Sequence, residues 1–158
     1  MACKALGFAG GCLLAVIRGR IMKVAVVFFA DKNREKLLNI SKALARGVEA
    51  QGHHVDLIDG FKDVNSKLTI YEYIAVGTAA VSPFGGKIPE RISKFLSSAG
   101  IVAGKRSFAY VLKEGLRAGK TLVKLMNTME HEGMFLKYSE VLCSPEEAEE
   151  VGKRLHIK

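Results

Sequence analysis

The sequence lacks the features that define several common protein classes. It has three cysteines, Cys3, Cys12 and Cys143, an odd number without metal-ligand spacing, so we expect a reducing, cytoplasmic environment. It has no low-complexity tract and no period of repeat length, which argues against a repeat architecture. No nucleophile stands beside a candidate base, and no cluster of metal ligands is evident. A length of 158 residues favours one domain.

The residue types that often carry chemistry stand in uninformative places. None of the four histidines, His53, His54, His131 and His156, falls in a loop that we expect at a strand end. We therefore expect all four on the surface. Cys143 closes the last predicted strand, where a small buried residue is more common than a reactive one.

Negative charge is in short supply. The sequence has 24 lysines and arginines against 16 aspartates and glutamates, which gives a net charge of +8. These cations are scattered, and no dense run of them alternates with aromatic residues. We therefore predict a solvated surface of mixed charge and no nucleic-acid binding.

The first 21 residues form an extension that we predict to lie outside the fold. Residues 5–17 are apolar and rich in glycine, but this run is too short to span a bilayer, and no cleavage site follows it. Met22 directly precedes the first convincing strand, so we interpret it as the biological start and residues 22–158 as the folded domain. The alternative is that this extension is a tail that associates with a membrane surface without stable insertion.

From residue 22 onward, strand and helix patterns alternate. Residues 24–29 are all apolar and mostly valine and phenylalanine, which is typical of a strand buried on both faces. Leu37, Ile40, Leu44 and Val48 then follow at helical spacing. Ser144-Pro145 predicts the capped start of a last helix. The other predicted strands span residues 53–59, 73–76, 107–112 and 134–143.

This count gives five strands, about four helices and one vestigial helix in residues 60–69. Strict alternation of this kind predicts an α/β protein with helices on both faces of one sheet, a three-layer sandwich. Ligands of such sheets bind at the carboxyl ends of the strands, so residues 30–34 are the first place to look for a site.

Three segments resemble the flavodoxin family. Residues 23–29 are similar to its first strand. Residues 71–78, with 86–89 and 95–96 after them, resemble its third strand, flavin-facing loop and next helix, and residues 151–155 resemble its last helix. The resemblance implies a parallel sheet in the order 2-1-3-4-5. It also implies a site for flavin mononucleotide (FMN) at the ends of the first, third and fourth strands.

The loop that would hold the flavin phosphate departs from the family pattern. In residues 30–34 there is no hydroxyl and no glycine. Asp31 would repel a phosphate, whereas Lys32, Arg34 and the helix N–H groups after Asn33 would attract it. The alternative is that Asp31 only caps the helix and that the two cations are solvated.

The loops after the third and fourth predicted strands keep more of the residue types that the resemblance implies for a flavin site. Thr78 and Ser82 would donate hydrogen bonds, Ala79 and Gly85 would allow close approach, and Phe84 would stack on the flavin ring. The third loop, residues 113–115, would lie near the ring edge. The complete predicted cofactor site is Asp31, Lys32, Asn33, Arg34, Thr78, Ala79, Ser82, Phe84, Gly85, Lys113, Glu114 and Gly115.

Three functions remain open at this stage, and the sequence does not decide whether the protein is an enzyme. The first is an FMN-binding electron carrier or small flavin-dependent redox protein with a partner protein, although such carriers are acidic and this chain is basic. The second is a flavodoxin-like interaction module that has lost FMN. The third is a phosphate-loop enzyme that uses residues 115–121, which are one residue short of the Walker A spacing. The oligomeric state is not predicted.

Overall fold

The computed structural model describes residues 20–82 and 87–158. These residues form five strands and four helices that alternate along most of the chain. The strands are β1 (Lys23–Phe29), β2 (His54–Asp59), β3 (Tyr73–Thr78), β4 (Arg106–Leu112) and β5 (Phe135–Leu142). The helices are α1 (Arg34–Glu49), α2 (Arg91–Ser98), α3 (Ala118–His131) and α4 (Pro145–Arg154).

The five strands form one parallel sheet in the order β2-β1-β3-β4-β5, as predicted. The three central strands are almost wholly buried, whereas the edge strands β2 and β5 have several exposed residues. This difference explains why β1 reads as an unbroken apolar run, since both of its faces are covered.

The helices cover the two faces of the sheet in pairs. One cluster of buried side chains joins α1 and α4 to β1, β3 and β4 through residues such as Leu44, Val151 and Phe108. A second cluster joins α2 and α3 to the other face through residues such as Phe95 and Leu125. The fold is therefore a three-layer α/β sandwich, as predicted.

The connection from β2 to β3 contains no helix, so the predicted vestigial helix does not form. Residues 60–72 run as a series of turns. Leu68 is fully buried and Tyr71 is nearly so, and both pack against the second cluster. The Tyr71 hydroxyl donates to Asp56 Oδ2 at 2.8 Å. The apolar side chains of this connection thus cover the sheet without helical backbone.

The start of α4 confirms the predicted cap, whereas α1 begins directly after Asn33 and not after Asp31. The Ser144 side chain accepts a hydrogen bond from the Glu147 N–H at 3.2 Å, with Pro145 in the first turn. At α1 the residue before the helix is Asn33, whose side chain does not cap it. Its side chain is engaged elsewhere, as described below.

Two predictions about single residues are wrong. His53 is buried, with 8% of its surface exposed, because it lies where Gly52 turns the chain into β2 and its Nδ1 accepts from the Met22 N–H at 3.3 Å. Burial, helped by the charge of Lys158, lowers the pKa of His53. Cys143 is exposed, because β5 ends one residue earlier. The other three histidines are exposed, as predicted.

The extension predicted at residues 1–21 falls mostly outside the described residues. Arg20 and Ile21 are exposed, and Arg20 forms a surface ion pair with Glu72. The first residue of the described core is Met22. In the described part of the chain, no helix is long and apolar enough to cross a membrane.

Candidate functional site

A cleft lies at the carboxyl ends of the central strands. Phe29 of β1 pairs with Thr78 of β3, which pairs with Val111 of β4, so the three strands end at nearly the same level. The loops that follow them therefore meet. They enclose a cleft of about 340 Å³, a volume within the range of small-molecule sites. Its described lining is Lys32, Asn33, Ala80, Val81, Ser82, Glu114 and Gly115.

Asn33 links the first loop to the third. Its backbone has φ 52° and ψ 34°, the left-handed conformation that asparagine tolerates better than most residues. In this conformation the Asn33 side chain turns away from the helix, and its Nδ2 donates to Glu114 Oε1. The hydrogen bond joins two walls of the cleft. It also leaves the first N–H groups of α1 without a side-chain cap.

Arg34 makes its contacts within the fold and does not line the cleft. Its guanidinium forms an ion pair with Asp59 at the end of β2 and lies 5.5 Å from the centre of the Phe28 ring. The hydrogen bond to Asp59 raises the pKa of Arg34. Burial of Asp59 alone would raise the pKa of that carboxyl. The hydrogen bonds from Arg34 and from the Phe61 N–H at 3.0 Å outweigh it and lower the pKa.

Thr78 is also used by the fold. It is fully buried, and its hydroxyl donates to the Phe29 carbonyl at 3.0 Å. The bond ties the ends of β1 and β3 together just beneath the cleft. Thr78 is therefore held by backbone carbonyls at the strand ends and is not a lining residue of the cleft.

The remaining predicted residues divide into three groups. Ser82 and Gly115 line the cleft beside Lys32, Asn33 and Glu114. Ala79 is buried beneath the second loop, while Asp31 and Lys113 are exposed but outside the lining. Phe84 and Gly85 lie outside the described residues.

Sequence reasoning missed some residues that matter to the site. Ala80 and Val81 line the cleft, and only their position after β3 could have pointed to them. Asp59 was missed as the partner of Arg34. A signal existed, because Asp59 pairs with Phe28 in the parallel register and therefore ends β2 beside the start of α1.

Residues 115–121 do not expose the Thr121 hydroxyl as a phosphate loop would. Gly115 has φ 67°, and α3 begins at Ala118 after a short turn. Thr121 is fully buried in that helix, although a phosphate loop needs this hydroxyl near the phosphates. Among the described residues, no group of three or more metal-ligating side chains is present.

Comparison with known proteins gives a likeness in structure only. No protein-family model and no curated protein sequence matches the chain. A flavodoxin from the domain Archaea aligns with TM-score 0.60 and 21% identity, over 86% of this chain and 94% of that one. Flavodoxin 1 from Bacillus cereus aligns with TM-score 0.63 and 15% identity, over 84% and 99%. A flavodoxin from Streptococcus pneumoniae TIGR4 aligns with TM-score 0.65 and 15% identity, over 84% and 97%.

These structures match the sheet order and the arrangement of helices found here. Nearly the whole length of each flavodoxin is covered, so the likeness extends over the domain rather than over one motif. Sequence identity of this size carries the fold and not the activity. The chain therefore has a flavodoxin-like α/β fold.

Proposed function

We propose that the cleft binds FMN and that the protein is a flavodoxin-like electron-transfer or small flavin-dependent redox protein. The observation that carries the proposal is the meeting of three loops at the ends of β1, β3 and β4. Crevices at this edge of an open parallel sheet are where α/β proteins bind their ligands. The bound flavin would supply electron transfer, and the chain would supply position and electrostatic environment.

The phosphate end of FMN fits the start of α1. The N–H groups of the first turn have no side-chain cap, and a helix N-terminus favours an anion. Lys32 in the cleft wall adds one positive charge. Asp31 and Glu35 near the same helix end oppose it. With Arg34 held by Asp59, backbone N–H groups and Lys32 are left to bind the phosphate.

The ring end of FMN fits the space between the second and third loops. Ala80, Val81 and Gly115 offer small or apolar surface that an isoalloxazine ring can contact. Glu114 belongs to the third loop but is hydrogen-bonded to Asn33 at the start of α1, so its negative charge would lie near the flavin phosphate. We therefore infer that FMN binds more weakly than it would without these carboxylates. Its affinity should also depend on salt, because exposed charges are screened beyond about 8 Å at physiological ionic strength.

A redox partner would dock on the face around the cleft. Lys32, Lys113, Arg117 and Lys120 are exposed there, and Leu116 projects completely into solvent beside them. Cationic residues outnumber Asp31 and Glu114 on this rim. The partner that fits it has an acidic surface, since opposite charges steer association.

The direct test is a titration of FMN fluorescence with the protein at low and at high salt. We expect quenching at low salt and weaker binding at high salt. Asp31→Ser should tighten binding, because the change removes a like charge and adds a hydroxyl donor. If neither protein quenches FMN at low salt, the proposal is wrong.

Glu114→Gln tests the same electrostatic argument at the third loop. The amide oxygen still accepts from Asn33, so the link between the loops survives while the charge is lost. We expect tighter FMN binding at low salt and a larger loss of affinity at high salt, because a repulsive charge no longer offsets the attraction of Lys32. Glu130→Gln, on an exposed turn of α3 away from the cleft, is the matched control and should bind as the unchanged protein does.

The second candidate function is an interaction module without FMN. The observation that favours it is the use of Arg34 and Thr78 by the fold, because these two side chains would otherwise hold the cofactor. A protein that does not bind FMN but binds an acidic partner through the cationic rim would support this candidate.

A further inference from the structure

A second concave site lies at the amino-terminal ends of the strands, away from the cleft. Tyr73 is the first residue of β3, and it sits with Lys137 and Tyr138 of β5 and with the last turn of α4 around a groove of about 510 Å³. We call it the basal groove. Val151 and Leu155 give it an apolar wall, and Arg154 stands at its edge. The FMN cleft lies at the other ends of the same strands.

The Tyr73 hydroxyl is a buried polar group without a hydrogen-bond partner among the described residues. Tyr73 itself is fully buried. Burial raises the pKa of Tyr73, and the nearby charge of Arg106 opposes the rise only in part. The phenol therefore stays protonated at neutral pH and keeps a proton to donate. Buried polar groups are rarely left unpaired in folded proteins, because the lost hydrogen bond is costly.

The walls of the basal groove are cationic. No described carboxylate forms an ion pair with Lys137 or Arg154. Lys137 Nζ lies 4.7 Å from the centre of the Phe135 ring, and Arg154 Nε donates to the Glu150 carbonyl at 3.2 Å. Neither contact involves a carboxylate, so neither offsets the positive charge of the two side chains. The groove is positive without counting His156 and Lys158, which also line it.

Glu140, which contacts the groove residue Tyr138, already has a partner. Glu140 Oε2 accepts from the Tyr138 hydroxyl at 2.6 Å, at the rim of the groove. The Tyr138 ring in turn stacks on Phe108, with centroids 5.6 Å apart and an interplanar angle of 16°. The aromatic side of the groove is thus fixed by packing, while Glu140 faces the Tyr138 hydroxyl.

We propose that the basal groove binds a small amphiphilic anion, with an aromatic or aliphatic body and a carboxylate or phosphate headgroup. Val151, Leu155 and the tyrosine rings would contact the body. Arg154 and Lys137 would hold the headgroup, as guanidinium and ammonium groups do. A polar oxygen of the same ligand would pair with the Tyr73 hydroxyl. The site is separate from the cleft and does not depend on flavin binding.

The test uses three probes on the full chain: 2-naphthoate, its neutral counterpart 2-naphthamide, and inorganic phosphate. Calorimetric titration should give binding of 2-naphthoate at least about tenfold tighter than of 2-naphthamide, the size expected for a charge-assisted hydrogen bond. Inorganic phosphate should bind more weakly than 2-naphthoate, because it lacks the body. Amide resonance shifts should cluster at residues 137–138 and 151–156.

Two variants connect the binding to the proposed groups. Tyr73→Phe keeps the ring and removes only the unpartnered hydroxyl, so the fold should be retained, and binding should weaken roughly fivefold. Arg154→Gln should weaken 2-naphthoate about tenfold and leave 2-naphthamide unchanged. Lys42→Gln, an exposed lysine on α1 outside the groove, is the control for net charge. It should change neither.

Four results would overturn the proposal. Three of them are absence of 2-naphthoate binding, equal binding of the acid and the amide, and shifts that map to Lys32 and Glu114 instead. Unchanged affinity in a folded Tyr73→Phe protein would show that the hydroxyl takes no part, which also contradicts the proposal.

Discussion

Single residues decide which side chains of the proposed flavin site are free to bind a ligand. Arg34 and Thr78 have the right chemistry and the right place in the sequence for ligand binding, but each has a partner within the fold. Asn33 and Glu114 are hydrogen-bonded to each other across the cleft. The polar and charged residue types that suggest a ligand site also form hydrogen bonds with neighbouring backbone and carboxylate groups.

The Arg34–Asp59 pair predicts an acid-sensitive part of the stability. The folded-state pKa of Asp59 is lowered, so its contribution is present above the unfolded value of about 4 and is lost as the pH falls through the folded value. Asp59→Asn should lower the free energy of unfolding at pH 7 by roughly 1 kcal/mol, a modest figure because Arg34 is partly exposed.

The same variant should lose less stability than the unchanged protein between about pH 5 and pH 3. Urea unfolding at several pH values measures both. Glu49→Gln, which removes an exposed carboxylate at the end of α1, is the control. Parallel pH profiles for the unchanged protein and Asp59→Asn would show that the pair does not act in this way.

At the scale of elements, the sequence periodicity predicts which side of α1 is buried. Leu37, Ile40, Leu44 and Val48 are all at most 2% exposed, as the spacing indicates. The contact between α1 and α4 was not predicted, because it depends on glycines from distant parts of the chain. A Cβ on Gly47 would lie 2.2 Å from the Glu149 carbonyl oxygen, and one on Gly152 would lie 2.5 Å from that of Leu44.

Gly47→Ala should therefore destabilise the protein although alanine favours helix. The added methyl group meets α4 backbone, which cannot move aside cheaply, and overpacking of this kind typically costs about 1–3 kcal/mol. Gly119→Ala is the matched control, because it lies in α3 with nothing within 4 Å of the added atom. It should be neutral or stabilising by up to about 1 kcal/mol. Thermal melts that rank the two variants the other way would contradict the close contact.

Leu44→Ala tests the buried side of α1 directly. Leu44 is fully buried in the cluster between α1, α4 and the sheet. Removal of its side chain should cost roughly 2–5 kcal/mol in the free energy of unfolding, measured by urea denaturation. A cost below about half a kcal/mol is typical of surface positions and would mean that the face is assigned wrongly.

At the scale of the whole molecule, the fold could be predicted and the site only in part. The layers follow from alternation and from runs such as residues 24–29, because burial on both faces leaves a clear pattern. The strand order was implied only by the resemblance to the flavodoxin family. Hydrogen-bond partners such as Asp59 for Arg34 leave no periodic pattern, since they join distant residues, and only the strand register brings the two together. His53 and Cys143 were misplaced for a related reason, because a shift of one residue at a strand end reverses exposure.

The central claim is that the cleft between the three loops is a flavin site. It is tested most directly by amide chemical shifts of the isotope-labelled full chain during titration with FMN at low salt. We predict saturable shifts that cluster at Lys32, Asn33, Ala80, Val81 and Gly115, with residues of the basal groove unchanged. Absence of shifts, or shifts that cluster elsewhere on the molecule, would contradict the account.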